Sequence, residues 1–166
     1  MIQNPDSVII RAAANADCDR VIALVSGVLS EYNLPFDLES KDSDLKDLEA
    51  SYLRSGGVFE VLEDRDGKLI GTYGLFRLDN ETCELRKMYF VPEIRGIGLG
   101  RRVLGRAVDQ ARRLGYQRIV LETISVLKDA IRLYTRFGFV PIEGAQVSAR
   151  VDQAYMLKLT ESDSSR

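Results

Sequence analysis

Gly96, Gly98 and Gly100 stand on alternate positions between an apolar run closed by Pro92 and an arginine-rich amphipathic segment, and this arrangement constrains the fold most tightly. Met88-Tyr89-Phe90-Val91-Pro92 reads as a strand ending in a turn, and the residues after Gly100 read as a helix. Alternate glycines let a backbone turn its N–H groups inward with no side chain in the way. The first turn of the helix adds unsatisfied N–H groups and the positive end of its dipole. A strand, loop and helix joined in this way grip a phosphate or pyrophosphate.

Two other glycine-loop readings fit less well. A dinucleotide loop needs Gly-x-Gly-x-x-Gly after the first strand of a parallel unit, whereas here the third glycine comes one position early and the preceding strands read as antiparallel. A phosphate loop of the nucleotide triphosphatases ends in Gly-Lys-Ser/Thr, and this one ends Gly100-Arg101-Arg102. A purely structural turn is the remaining alternative.

Periodicity supplies the rest of the architecture. Val8–Arg11 is a short strand, and Cys18, Val21, Ile22, Val25, Val28 and Leu29 recur at helical spacing. A second helix is expected over residues 43–54, stopped by Gly56-Gly57. Three strands follow at 58–63, 69–78 and 82–91, divided by the turn sequences Asp64-Arg65-Asp66-Gly67 and Asp79-Asn80. Beyond the glycine loop come a helix with Val103, Leu104, Ala107, Val108, Ala111 and Leu114 on one face, a strand at 118–123 and a helix carrying Leu127, Ala130, Ile131 and Tyr134. Strands at 139–142 and 154–159 close the chain. A meander followed by strand–helix–strand units implies an α/β fold with a mixed, largely antiparallel central sheet and helices on both faces. One domain is expected over residues 1–160, with 161–166 a disordered tail.

Composition narrows the chemistry. A formal net charge of −2 argues against a general nucleic-acid binder, and no apolar run approaches the ~20 residues of a membrane span. The first residues lack the pattern of a signal peptide, and two cysteines suit reduced thiols, so a cytoplasmic location is expected. With no histidine and no cysteine pair at ligand spacing, no metal is expected. Proton transfer must then fall to Glu, Asp, Tyr, Lys, Cys or water.

Arg95-Gly96-Ile97-Gly98-Leu99-Gly100 resembles the Arg/Gln-x-x-Gly-x-Gly/Ala signature of the GNAT superfamily of acyl-CoA-dependent N-acetyltransferases. The strand before it and Ala130-Ile131-Arg132-Leu133-Tyr134-Thr135-Arg136-Phe137-Gly138-Phe139 are similar to that family's fourth strand and last helix, and the element order agrees from about residue 8 to 159. The resemblance implies acetyl-CoA as acyl donor in a cleft where the fourth and fifth strands splay. It places the pyrophosphate on the N–H groups of Arg95, Gly96, Ile97, Gly98, Leu99, Gly100 and Arg101, and the pantetheine arm along the backbone of Met88, Tyr89 and Phe90. Arg101 or Arg102 is a further candidate for the phosphates. The family often carries Asn where this chain has Leu127, which removes one side-chain contact to the cofactor.

Tyr134 matches the tyrosine whose hydroxyl lies near the acyl-CoA sulfur, which makes it the candidate general acid; as a residue of the apolar stripe it also reads as core. Glu84, eleven residues before Arg95, is the candidate base by resemblance, since several members of that family carry a strand glutamate there as base; on an unbulged strand it shares a face with Arg86, Met88 and Phe90. A nearby cation weakens such a base, and a water chain is then the alternative. The N–H of Phe90 is a candidate oxyanion donor if the strand bulges before Pro92. Cys83 allows an acyl-cysteine route, against which stands the lack of a histidine to activate it.

The acceptor is expected to be the primary amine of a small molecule, attacked directly in a ternary complex. Glu31, Asp37, Glu39, Asp42 and Asp44 border its side by resemblance, and they read either as an attractor for a cationic amine or as a solvated loop. Arg86 alternatively meets an acceptor carboxylate. Peptide acetylation, a non-catalytic CoA sensor and a nucleic-acid face built on Arg95, Arg101, Arg102, Arg106, Arg112 and Arg113 are the rival readings; a homodimer is compatible with all of them.

Overall fold

A computed structural model describes residues 4–147 and 150–159; the expected tail at 161–166 lies outside the described residues. Strand β1 (Ile9–Ala12) turns through Asn15–Asp17 into helix α1 (Cys18–Glu31). The Asp17 carboxylate accepts the Ala14 N–H at 2.9 Å and so satisfies a donor at the helix entrance. Strands β2 (Val58–Glu63), β3 (Leu69–Arg77) and β4 (Thr82–Phe90) form the meander. Each hairpin is closed by an aspartate that accepts two backbone N–H groups: Asp64 from Asp66 and Lys68, both at 2.9 Å, and Asp79 from Glu81 and Thr82, both at 2.8 Å. Helix α2 (Leu99–Arg113), strand β5 (Arg118–Thr123), helix α3 (Lys128–Phe137) and strands β6 (Val140–Pro141) and β7 (Gln153–Lys158) complete the chain.

Two elements differ from the sequence expectation. The helix expected at 43–54 is instead two short turns, Ser43–Lys46 and Glu49–Leu53. Asp47 is the cause: its backbone leaves helical conformation, with φ −146° and ψ 89°, and its carboxylate accepts the Ala50 N–H at 2.9 Å, starting a fresh turn. Leu45, Leu48 and Tyr52 nevertheless reach the same core, because the break keeps all three on the inner side. The strand expected at 139–142 shrinks to Val140 and Pro141, paired with Met156 and Tyr155.

The sheet order is β1-β2-β3-β4-β5-β7-β6, with β4 and β5 parallel and the other neighbours antiparallel. One apolar core lies between the sheet and α2 and α3; a second lies on the other face beneath α1 and the two short turns. Helix α2 is clamped to the first face by buried Glu60, which accepts Tyr73 Oη at 2.9 Å, Arg106 Nη2 at 2.9 Å and Gln110 Nε2 at 3.1 Å. Satisfying that carboxylate offsets much of the cost of burying it.

The pairing of β4 with β5 is short. It runs from Thr82 opposite Arg118 to Glu84 opposite Val120, while β4 continues along β3 to Phe90 and β5 along β7 to Thr123. Beyond Glu84 the two parallel strands therefore part, and an opening forms in the middle of the sheet.

Strand β4 also bulges. Three residues of β3, from Thr72 to Gly74, face four of β4, from Tyr89 back to Arg86. Lys87 absorbs the extra residue with φ 54°, a left-handed conformation unfavourable for lysine, and buried Thr72 donates its hydroxyl to the Lys87 carbonyl at 2.7 Å. One extra residue inverts the alternation beyond it. Glu84 and Arg86 stay together on the α1 face, but Met88 and Phe90 pack into the α2 core, so the expectation that all four share a face is corrected.

Candidate active site

The opening between β4 and β5 leads into a cavity of about 830 Å³ that reaches from the glycine loop to the α1 face of the sheet. At one end, Gly96 and Gly98 adopt φ 81° and 87°, where a Cβ would meet nothing within 4 Å but the backbone itself disfavours an L side chain. These turns present a run of N–H groups. From Gly96 to Arg101 none has a hydrogen-bond acceptor among the described residues, and the helical pattern begins with Arg102 N–H donating to Gly98 O at 3.2 Å. Six consecutive free donors at the positive end of a 15-residue helix form a strong anion cradle. Gly100 has a different role, since a Cβ there would come within 3.2 Å of Leu133 on α3.

Arg95 does not belong to that run. Its N–H donates to Pro92 O at 3.2 Å, and its guanidinium holds Glu31 at 2.7 and 3.0 Å while donating to Phe90 O at 2.7 and 3.0 Å. It latches the end of α1 to the end of β4 and thereby fixes where the loop starts. Arg102 is likewise occupied with the Pro5 carbonyl and Arg106 with Glu60, which leaves the expected arginine face on α2 mostly consumed by the protein itself. Arg101 is exposed and has no ion pair among the described residues.

Tyr134 reaches the cavity from α3, its ring against Phe139 at a centroid distance of 5.8 Å. The hydroxyl has no hydrogen-bond partner among the described residues, and burial pushes its pKa well above the ordinary phenol value, with the neighbouring Tyr89 acting in the same direction. A buried tyrosine normally finds a partner for its hydroxyl, and here the hydroxyl is left free at the cavity wall. Leu127, the residue preceding α3, lines the same wall.

Glu84 lies where β4 and β5 cease to pair, with its side chain 16% exposed, and it lines the cavity. Its Oε1 accepts Arg86 Nε, and its Oε2 has no partner among the described residues. Arg86 in turn lies over the Phe76 ring with Cζ 3.8 Å from the centroid. Cys83, one residue away, is fully buried outside the cavity, and burial pushes its thiol up to about 12. An acyl-cysteine route has no reactive thiolate there.

Much of the acidic segment expected to attract a cationic amine is engaged within the protein, while Asp37 is exposed and has no ion pair among the described residues. Asp42 has no exposed side-chain surface; it receives Arg150 at 2.8 and 3.0 Å, Lys87 at 2.5 Å and the Asp37 N–H at 2.9 Å. Burial would raise its pKa, but these donors together hold it below the usual carboxylate range. Asp44 accepts the Tyr52 hydroxyl, Glu31 is held by Arg95 and Glu39 by Lys46. Neither Lys87 nor Arg150 was anticipated as part of this wall. Two adjacent cations, Arg86 and Lys87, in an otherwise alternating strand were the available signal for the bulge; Arg150 offers no comparable local signal.

Residues 9–139 match the acetyltransferase (GNAT) family. The chain is 36% identical over 146 residues to the uncharacterized N-acetyltransferase YjgM of Escherichia coli (strain K12), covering 85% of this chain and 87% of that protein. Its fold is similar to that of an acetyltransferase of the GNAT family from Staphylococcus aureus Mu50, with a TM-score of 0.86 at 24% identity over 92% of this chain and 99% of the other. It is also similar to yncA of Salmonella typhimurium, whose structure contains its cofactor acetyl-CoA, with a TM-score of 0.73 at 25% identity over 95% and 96% of the two chains.

Proposed function

The chain belongs to the GNAT family of acetyltransferases and is an acetyl-CoA-dependent N-acetyltransferase; from that premise we propose that it acetylates the primary amine of a small molecule by direct attack in a ternary complex. The observation that carries the reading is the line of six free N–H groups from Gly96 to Arg101, of which Gly96, Leu99 and Gly100 border the cavity that Tyr134 and Glu84 also line. In this reading the N–H run holds the pyrophosphate of acetyl-CoA, and the exposed Arg101 side chain lies beside it. The backbone of Met88, Tyr89 and Phe90 borders the acyl arm.

The chemistry then divides between the two walls. The neutral amine attacks the thioester carbonyl, a C–N bond forms and the C–S bond breaks. Glu84 Oε2 takes the amine proton directly or through water, and the Tyr134 hydroxyl supplies a proton to the departing thiolate. Holding donor and acceptor in one cavity supplies much of the acceleration, and the proton transfers add typically ~10²–10⁴-fold. The raised pKa of Tyr134 suits this division, because the phenol stays protonated through the neutral range.

The test is thiol release from acetyl-CoA against a panel of amines, amino acids and peptides, with calorimetric binding of CoA alongside. Release with a small amine and none with peptides is the expected result. Tight CoA binding with no release in any reaction would make the chain a CoA sensor, and release with peptides alone would move the acceptor to protein.

A further inference from the structure

The acceptor side of the cavity has an unusual charge arrangement once internal ion pairs are subtracted. Asp42, Asp44, Glu31 and Glu39 are all engaged within the protein, as are Lys87 and Arg150. On the α1 side of the cavity, the two terminal nitrogens of Arg86, Glu84 Oε2 and the Lys41 ammonium retain bonding capacity, none with a side-chain partner among the described residues. Arg86 and Glu84 stand two residues apart on one strand face, so a cationic fork lies beside an acceptor oxygen.

That fork is prepared for use. Its Nε is tied to Glu84 and its plane rests on Phe76 at 3.8 Å, so the side chain loses little further freedom on binding. Its side chain is 30% exposed, and the site is partly desolvated. Burial works against the charged form of Arg86, yet Glu84 holds its pKa above the usual value, so the guanidinium remains charged. A planar, oriented guanidinium with two free terminal nitrogens matches a carboxylate in bidentate geometry.

We propose that the acceptor is an amino acid, its carboxylate bound by the terminal nitrogens of Arg86 and its amine placed at Glu84 Oε2. The proposal rests on the acetyltransferase reading of the same cavity and adds the class of acceptor. An amino acid offers a carboxylate to Arg86 and, once its ammonium has lost a proton to water, a neutral amine at Glu84 Oε2, whereas a polyamine would bring a second cation toward Arg86 and Lys41. The bulge makes the arrangement possible: it keeps Glu84 and Arg86 on the α1 face while turning Met88 and Phe90 to the α2 face. Donor and acceptor are thus addressed from opposite sides of one opening.

The experiment compares thiol release from acetyl-CoA with a series of free amino acids, each tested beside its carboxamide and its decarboxylated amine. The expected result is at least one amino acid whose kcat/KM exceeds that of both partners by about 10- to 100-fold, the worth of a charge-assisted bidentate contact. Arg86→Gln should collapse that ratio toward one, chiefly through the acceptor KM, and Arg86→Lys should restore part of it. The wild-type ratio needs no variant, so a folding defect in either substitution leaves the comparison intact. Amides or simple amines accepted as well as the acids would overturn the amino-acid proposal and leave the acetyltransferase reading standing. An undiminished acid-to-amide ratio in Arg86→Gln would also overturn it. Absence of release with all three acceptor classes, with CoA still bound, would overturn both readings.

Discussion

Tyr134 belongs to a core by pattern, and in the proposed reaction its one polar atom is the proton donor. Its ring continues the apolar stripe of α3 and packs on Phe139, which is all that periodicity reveals. The unpartnered hydroxyl became visible only with the cavity in place. Tyr134→Phe should keep the packing and lower kcat by about 10²-fold or more, with acetyl-CoA affinity unchanged, as loss of a general acid requires. Stopped-flow thiol release and calorimetric binding separate the two quantities. Because burial raises the phenol pKa, the alkaline fall in kcat attributable to this group should begin above pH 10, later than for an ordinary tyrosine. Cys83 makes the opposite prediction: with a fully buried thiol pushed up to about 12, Cys83→Ala should leave turnover intact, and a burst of acetylated enzyme in the wild type would contradict it.

At the scale of elements, strand β4 and the loop after it divide the work. The loop was legible because glycine at alternate positions before an amphipathic helix is a local pattern with few backbone solutions. Gly98→Ala introduces a left-handed L residue at about 1–2 kcal/mol, so the KM for acetyl-CoA should rise roughly tenfold, measured at saturating acceptor. The bulge in β4 was legible only as a possibility. Its position at Lys87 follows from the Thr72 hydroxyl, which lies on another strand and accommodates the left-handed residue. Thr72→Val leaves that buried carbonyl without its donor and should cost about 1–3 kcal/mol in urea unfolding. An unaltered midpoint would remove Thr72 from this role. The helix expected at 43–54 shows the same limit, since the apolar spacing was right while Asp47 broke the backbone to cap a new turn.

Across the whole molecule, the Asp42 carboxylate joins three distant parts of the chain: its own loop, β4 through Lys87 and the segment before β7 through Arg150. With no exposed side-chain surface at Asp42 and 5% at Lys87, removing the anion leaves buried charge uncompensated. Asp42→Asn should therefore destabilise the protein by about 3–5 kcal/mol, read from chemical denaturation at neutral pH. The folded-state pKa of Asp42 lies below the unfolded value. Its contribution is accordingly complete above about pH 4 and is lost as the pH falls from there through the folded-state pKa. Unfolding free energy measured downward from pH 5 should show this loss in the wild type and less of it in Asp42→Asn. Asp17, held low chiefly by Arg11, adds to the same acid limb.

Sequence by itself determined the order of elements, the strands of the meander, the anion-binding loop and the presence of Tyr134 and Glu84 near it. The first three depend on interactions within a few residues, such as glycine conformation, aspartate turns or the period of an apolar face; the placing of Tyr134 and Glu84 beside the loop came from the resemblance to the GNAT superfamily. Tertiary structure decided the rest: that Arg95 latches the end of α1 to the end of β4, that Asp42 is paired with Lys87 and Arg150, and that Glu84 and Arg86 face away from Met88 and Phe90. A carboxylate written in a sequence carries no sign of who will neutralise it. Here Asp42 is neutralised by residues 45 and 108 positions away along the chain, and that pairing exists only once the sheet has brought them together.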